Sequence, residues 1–191
     1  GYTEAMFPIG SNRKKQYQNP SPQKNEAKIP KFLNEQDLQK LKDYKTEIHQ
    51  EEKARDIWLL SYYLGGCNMV DLVEFKEENI NKDSQSLSWY RMKNQFKRSQ
   101  TVSTVSLTDE AKRLIEKYKG KNYLLNFHDH SENKENTADN LRRFVNKNYL
   151  KRIAEKTNMK QSLNFQMARH TCFSNLLRNG GTFSEIMEVS G

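Results

Sequence analysis

Gln166-Met167-Ala168-Arg169-His170-Thr171-Cys172-Phe173-Ser174-Asn175-Leu176-Leu177 runs close to the C-terminal end of the chain, and Gly180-Gly181 follows it. The segment from Phe165 to Arg178 reads as a helix, and the glycine pair closes it because glycine alone enters a left-handed turn cheaply. Thr182 or Ser184 would then cap a last short helix through Val189. Upstream, Thr137 to Glu155 carries Leu141, Phe144, Val145, Tyr149 and Ile153 at helical spacing, with its basic residues on the opposite side. Between Asn140 and Ser184 stand Arg142, Arg143, Lys147, Lys151, Arg152, Lys156, Lys160, Arg169 and Arg178 against the single acid Glu155. The whole chain carries a net charge of +8, so this region alone accounts for an excess of that size. Clustered positive charge recruits phosphates and releases their counterions. The plainer reading is a solvated helix face.

A second acid-free stretch, Ser84 to Thr108, contains Arg91, Lys93, Lys97 and Arg98. Leu87 to Met92 and Thr101 to Leu107 both alternate in the manner of strands, and the polar segment 93–100 would join them as a β-hairpin with a basic tip. Before it, Asn34 is a good N-cap for a helix that buries Leu38 and Leu41. Ala54, Ile57, Trp58, Ser61 and Leu64 follow helical spacing up to Gly65-Gly66, which ends that helix. Met69 to Phe75 reads as a further helical turn or two. Thr108 caps a helix from Asp109 to Tyr118 that stops at Gly120, and Leu124, Leu125 and Phe127 form a short apolar element. His128 to Asn136 reads as a polar loop. The fold class expected is mainly α with a small antiparallel β-sheet or hairpin.

Length and composition narrow the field. The 191 residues suit one domain with an arm. Residues 1–30 hold all four prolines among Asn, Gln, Ser and Lys, a composition that buries itself poorly. Only 35% of the residues are hydrophobic and the mean hydropathy is −1.01, so the core must be lean. The most apolar run, Ile57 to Leu64, falls far short of the ~20 residues of a spanning helix. The first thirty residues show no apolar run of a signal peptide. Cys67 and Cys172 are too far apart for metal-ligand spacing and too few for a disulfide framework, which points to a reducing, cytoplasmic setting. There is no P-loop, GxGxxG, GxSxG or HExxH. His128-Asp129-His130 is the one metal-like cluster, and it reads as a solvated loop. No cofactor, metal, membrane or small-molecule substrate is expected.

Three boxes carry a resemblance. The stretch from Gln166 to Leu177, with Gly180 and then Ile186 to Ser190-Gly191, resembles the signature His-x-x-Arg-His-Thr-Phe-Ala, an apolar stretch, a glycine and later Leu-Gly-His of the tyrosine recombinases, the phage integrase family. Leu64-Gly65-Gly66-Cys67-Asn68-Met69-Val70-Asp71-Leu72 is similar to that family's first arginine box. Tyr90-Arg91-Met92-Lys93-Asn94 is similar to the hairpin bearing its lysine. The order and spacing hold over residues 31–191, and the phrasing resembles integrases of mobile elements in Bacteroides-type bacteria.

The resemblance implies a recombinase catalytic-domain fold, with residues 1–30 as the linker from a missing N-terminal core-binding domain. It implies cleavage of double-stranded DNA by a tyrosine through a 3′-phosphotyrosyl bond, without metal or ATP, and self-assembly on DNA. Arg169 falls on the second arginine and becomes the phosphate clamp, since a planar guanidinium binds two oxygens and keeps its proton. Its place early in a helix also puts backbone amides nearby. Lys93 becomes the general acid for the leaving oxygen. His170 is read as structural. Arg91, Lys97, Arg98, Arg142, Arg143 and Lys147 are candidate DNA contacts. Asn68 stands where the family has its first arginine, and Gln166 where it has a histidine. The family's next histidine and its nucleophilic tyrosine would come after Gly191, so the chain as given is expected to bind DNA without cutting it. Two other readings stay open: the same fold kept only for DNA binding, and an unrelated basic helical nucleic-acid-binding module.

Overall fold

In the computed structural model, residues 31–90, 102–127, 133–182 and 184 are described. Asn34 opens α1 (Glu35–Asp43), its side-chain oxygen accepting from the Asp37 amide at 2.8 Å. Leu38 and Leu41 of α1 are buried, as their spacing predicts. The chain just ahead of α1 is tied to the far end of the sequence. The Leu33 amide donates to Thr171 Oγ1 at 2.9 Å, and Gln161 Nε2 donates to the Phe32 carbonyl at 2.6 Å.

α2 (His49–Tyr63) is the central element. Ala54, Ile57, Trp58, Leu59 and Leu60 are all buried, so apolar surface runs around most of it. A helix apolar on every side must be covered on every side. Here the helices Asp109–Lys117 and Met167–Arg178 and the helical segment 144–150 do so. Gly65 and Gly66 end it at φ +67° and +71°, and the Gly66 amide donates back to the Ser61 carbonyl at 2.7 Å. That is the left-handed stop the glycine pair implies. Asn68 then leads into α3 (Met69–Glu74), which packs on α5.

The expected hairpin is part of a three-stranded antiparallel sheet. β1 (Ile80–Asn81) pairs with β2 (Ser86–Tyr90), and β2 with β3 (Val102–Ser106). The register sets Leu87 opposite Val105 and Trp89 opposite Ser103. Leu87, Trp89 and Ser103 face inward, and Trp89 meets Phe75 edge-on at 5.2 Å. Residues 91–101 join β2 to β3 and lie outside the described residues. Thr108 caps α4 (Asp109–Lys117) through the Ala111 amide at 3.2 Å.

Two boundaries differ from the sequence reading. Asn133 caps a helix that begins at Lys134, so residues 134–136 belong to α5 (Lys134–Arg143) and not to a loop. The Asn133 side chain supplies the capping oxygen, so the helix starts one turn early. The long helix is also interrupted: residues 144–150 have π geometry before α6 (Lys151–Lys156) resumes. A π turn adds one residue to the repeat. The buried series therefore runs Leu141, Val145, Leu150, Ile153, and Leu150 replaces Tyr149 in the core. Tyr149 pairs with the half-buried Phe144 ring at 4.8 Å instead. α7 (Met167–Arg178) closes the described fold. The arm 1–30, the loop 128–132 with its His-Asp-His cluster, and the expected last helix through Val189 fall outside the described residues, apart from Asn133 and the lone helical Ser184.

Candidate functional site

One cleft of about 210 Å3 gathers residues from four elements. Ser61 comes from α2, Gly66 to Met69 from the turn into α3, Arg142 from α5, and Phe165, Gln166, Arg169 and His170 from the start of α7. Sequence positions a hundred residues apart therefore meet here. No carboxylate lines the cleft, whereas two guanidinium groups do.

The cleft is held by backbone-directed contacts. Trp58 Nε1 donates to the Asn164 carbonyl at 2.9 Å, and Asn146 Oδ1 accepts from the Phe165 amide at 2.7 Å. These fix the chain as it enters α7. On the facing wall, Ser61 Oγ donates to the Cys67 carbonyl at 2.8 Å. Arg169 is the third residue of α7 and half-buried. Its Nη1 donates to the Gly66 carbonyl at 3.1 Å, and its guanidinium lies 4.8 Å from the centre of the Phe173 ring. A hydrogen bond on one side and an aromatic face on another orient the fork. Gly66 approaches so closely that a Cβ built there would stand 2.5 Å from the Cα of Arg169.

Both cysteines lie near this charge and neither is a nucleophile at neutral pH. Burial pushes the Cys67 thiol far up, and the Asp71 charge adds to it. Burial raises Cys172 to about 11, although the Arg169 charge opposes the rise. Thiols so shifted stay protonated and inert.

Of the residues singled out in the sequence, Arg169, Asn68, Gln166, His170 and Arg142 line the cleft together. Arg143 is exposed and donates to Asn140 Oδ1 at 2.7 Å, and Lys147 is exposed on the π segment. Neither lines the cleft. Lys93, Arg91, Lys97 and Arg98 fall in the segment outside the described residues. Ser61, Phe165 and Phe173 were missed. Their helical spacing marks them only as core-facing, and nothing in a linear pattern distinguishes a core position from the wall of a cleft. Among the described residues, no group of His, Cys, Asp and Glu is placed to hold a metal, and no helix is long and apolar enough to cross a membrane.

A family model described as the phage integrase family matches residues 31–191. No curated protein matches the chain. Among solved structures, XerA recombinase is similar with a TM-score of 0.60 at 15% identity, covering 88% of this chain and 57% of that one. The Tn1549 transposon integrase in complex with a circular intermediate DNA is similar with a TM-score of 0.54 at 11% identity, covering 86% of this chain and 59% of that one. The chain thus spans less than two thirds of the length of these structures. At such identities the likeness is one of fold.

Proposed function

This chain belongs to the phage integrase family, and from that premise we propose that it is the DNA-binding catalytic domain of a site-specific tyrosine recombinase. The observation that carries the proposal is the convergence of Arg169, His170, Gln166 and Asn68, distant in sequence, on one carboxylate-free cleft. In this reading a phosphodiester of double-stranded DNA enters the cleft, and Arg169 holds its non-bridging oxygens. A tyrosine hydroxyl attacks phosphorus, a 3′-phosphotyrosyl bond forms, and the 5′-oxygen leaves with a proton from Lys93. The new ester keeps the energy of the broken one, so resealing requires neither metal nor ATP. Fixed donors meet the charge that develops on the phosphoryl oxygens. No tyrosine lines the cleft among the described residues, so the nucleophile reaches it from outside that set. Residues 1–30 serve as the arm toward a core-binding domain.

Support for DNA as partner comes from the net charge of +8 and from the Tn1549 integrase, whose structures hold DNA. A second reading, the same fold retained for binding alone, is favoured by Asn68 and Gln166 at positions where the family carries arginine and histidine.

Trapping on a nicked duplex tests the proposal with the full-length protein. Arg169→Ala is expected to reduce covalent trapping at least a hundredfold, the scale of losing one main oxyanion donor, while weakening duplex binding much less. Trapping that survives the substitution refutes the role of Arg169. Trapping absent from the unmutated full-length protein, with binding intact, favours the second reading. Binding should also weaken steeply with salt, by a log–log slope of about −0.9 per phosphate contacted.

A further inference from the structure

Resting on the reading above, we infer that Arg142 is a second guanidinium on the phosphate in the cleft, filling from α5 the charge that Asn68 lacks. Asn68 occupies the lip of the cleft as the residue preceding α3. α5 packs directly on α3, and Arg142, in the last turn of α5, enters the same cleft. Asn68 offers an amide and no charge, so an anion bound by Arg169 alone would be only half compensated in orientation. Arg142 brings a second planar fork into the same cleft.

The electrostatics favour an anion between the two. Arg142 and Arg169 line one cleft with no carboxylate among its lining residues, so a phosphodiester there would be attracted by both. The partner Arg142 has in the structure is weak by location. It pairs with Asp139 one turn back, and that carboxylate is 59% exposed, so solvent screens the pair. A phosphate can therefore displace Asp139 at small cost. The volume of about 210 Å3 is several times the ~30 Å3 share of a water molecule and leaves room for the group.

The test is a double-mutant cycle in equilibrium binding of this chain to duplex DNA at fixed salt. Arg142→Gln and Arg169→Gln are each expected to weaken binding about tenfold, and the double variant by well under a hundredfold, because both forks hold one phosphate. Asn68→Arg should recover most of the loss in the Arg142→Gln background and none in the Arg169→Gln background. Asp139→Asn should tighten binding two- to threefold, and do so only while Arg142 is present. A misfolded variant cannot produce that gain. Multiplicative losses, an Arg142→Gln effect no larger than that of the exposed Lys82→Gln, or tightening by Asp139→Asn without Arg142 would each overturn the inference and leave the proposed function standing. Covalent trapping by the full-length protein that survives Arg169→Ala would remove the proposed role of Arg169, and the inference with it.

Discussion

Gly66 and Gly180 both adopt left-handed backbone, at φ +71° and +86°, yet they differ in what surrounds them. At Gly180 a Cβ would meet nothing within 4 Å, whereas at Gly66 it would press on the Cα, Cβ and Cγ of Arg169. Gly180→Ala should therefore cost only the backbone strain, about 1–2 kcal/mol. Gly66→Ala adds a forced shift of α7 and should cost about 3 kcal/mol or more in urea melts. It should also weaken DNA binding, because the shift moves the guanidinium, and the Gly180 variant should bind normally. Equal costs for the two would show that α7 is not seated on Gly66. Part of this scale was legible. Arg169 reads correctly as lying early in a helix, and Gly65-Gly66 as a helix stop. The second duty of Gly66, as the surface that lets Arg169 approach, was not legible. The two residues are remote in sequence, and no periodicity encodes a contact between separate helices.

At the scale of elements, amphipathic spacing located α1, α2, α4 and α7, and alternation located β2 and β3. β1 escaped because two residues are too few to show alternation. The π turn escaped for a different reason. A pattern search assumes a fixed repeat of 3.6, and the insertion of one residue between Val145 and Leu150 breaks it. That turn is tied to the cleft. Asn146, within it, accepts the Phe165 amide at 2.7 Å just before α7 starts. Asn146→Ala leaves that amide without its acceptor and should cost about 1–3 kcal/mol. The expected signature is faster amide exchange at residues 163–168 than in α2. Unaltered protection there would mean that the entry to α7 is held by Trp58 alone, through its bond to the Asn164 carbonyl.

For the whole molecule, the count of basic residues was right and its meaning was mixed. Some of the positive charge is internal structure. Asp56, with its side chain 1% exposed, accepts from Tyr118 Oη at 2.9 Å and from Lys117 Nζ at 2.8 Å, joining α2 to α4. Lys156, counted in the basic excess, reaches both carboxylate oxygens of the fully buried Glu51 at 2.8 Å. A linear count cannot separate such cations from those left facing solvent, since the partner lies far away in sequence. The Glu51 pair makes a prediction about pH. Burial alone would raise the Glu51 carboxyl. The Lys156 ammonium and the hydroxyls of Tyr44 and Thr46 outweigh it and hold the group below 4.5. A depressed carboxylate stabilises the fold above its unfolded value and loses that contribution as pH falls through the folded one. Lys156, raised above 10.5 chiefly by its bonds to Glu51, stabilises below that value and fails as pH climbs past its folded one. Melting temperature should therefore fall below pH 4.5, and less so in Glu51→Gln. The two partners are not equivalent. Glu51→Gln leaves a half-exposed lysine that water solvates, whereas Lys156→Met leaves a buried carboxylate held by the Tyr44 and Thr46 hydroxyls. At neutral pH Lys156→Met should lower the melting temperature, and Glu51→Gln should lower it clearly less. Equal losses, or an acid limb that persists in Glu51→Gln, would show that this pair does not set the acid sensitivity.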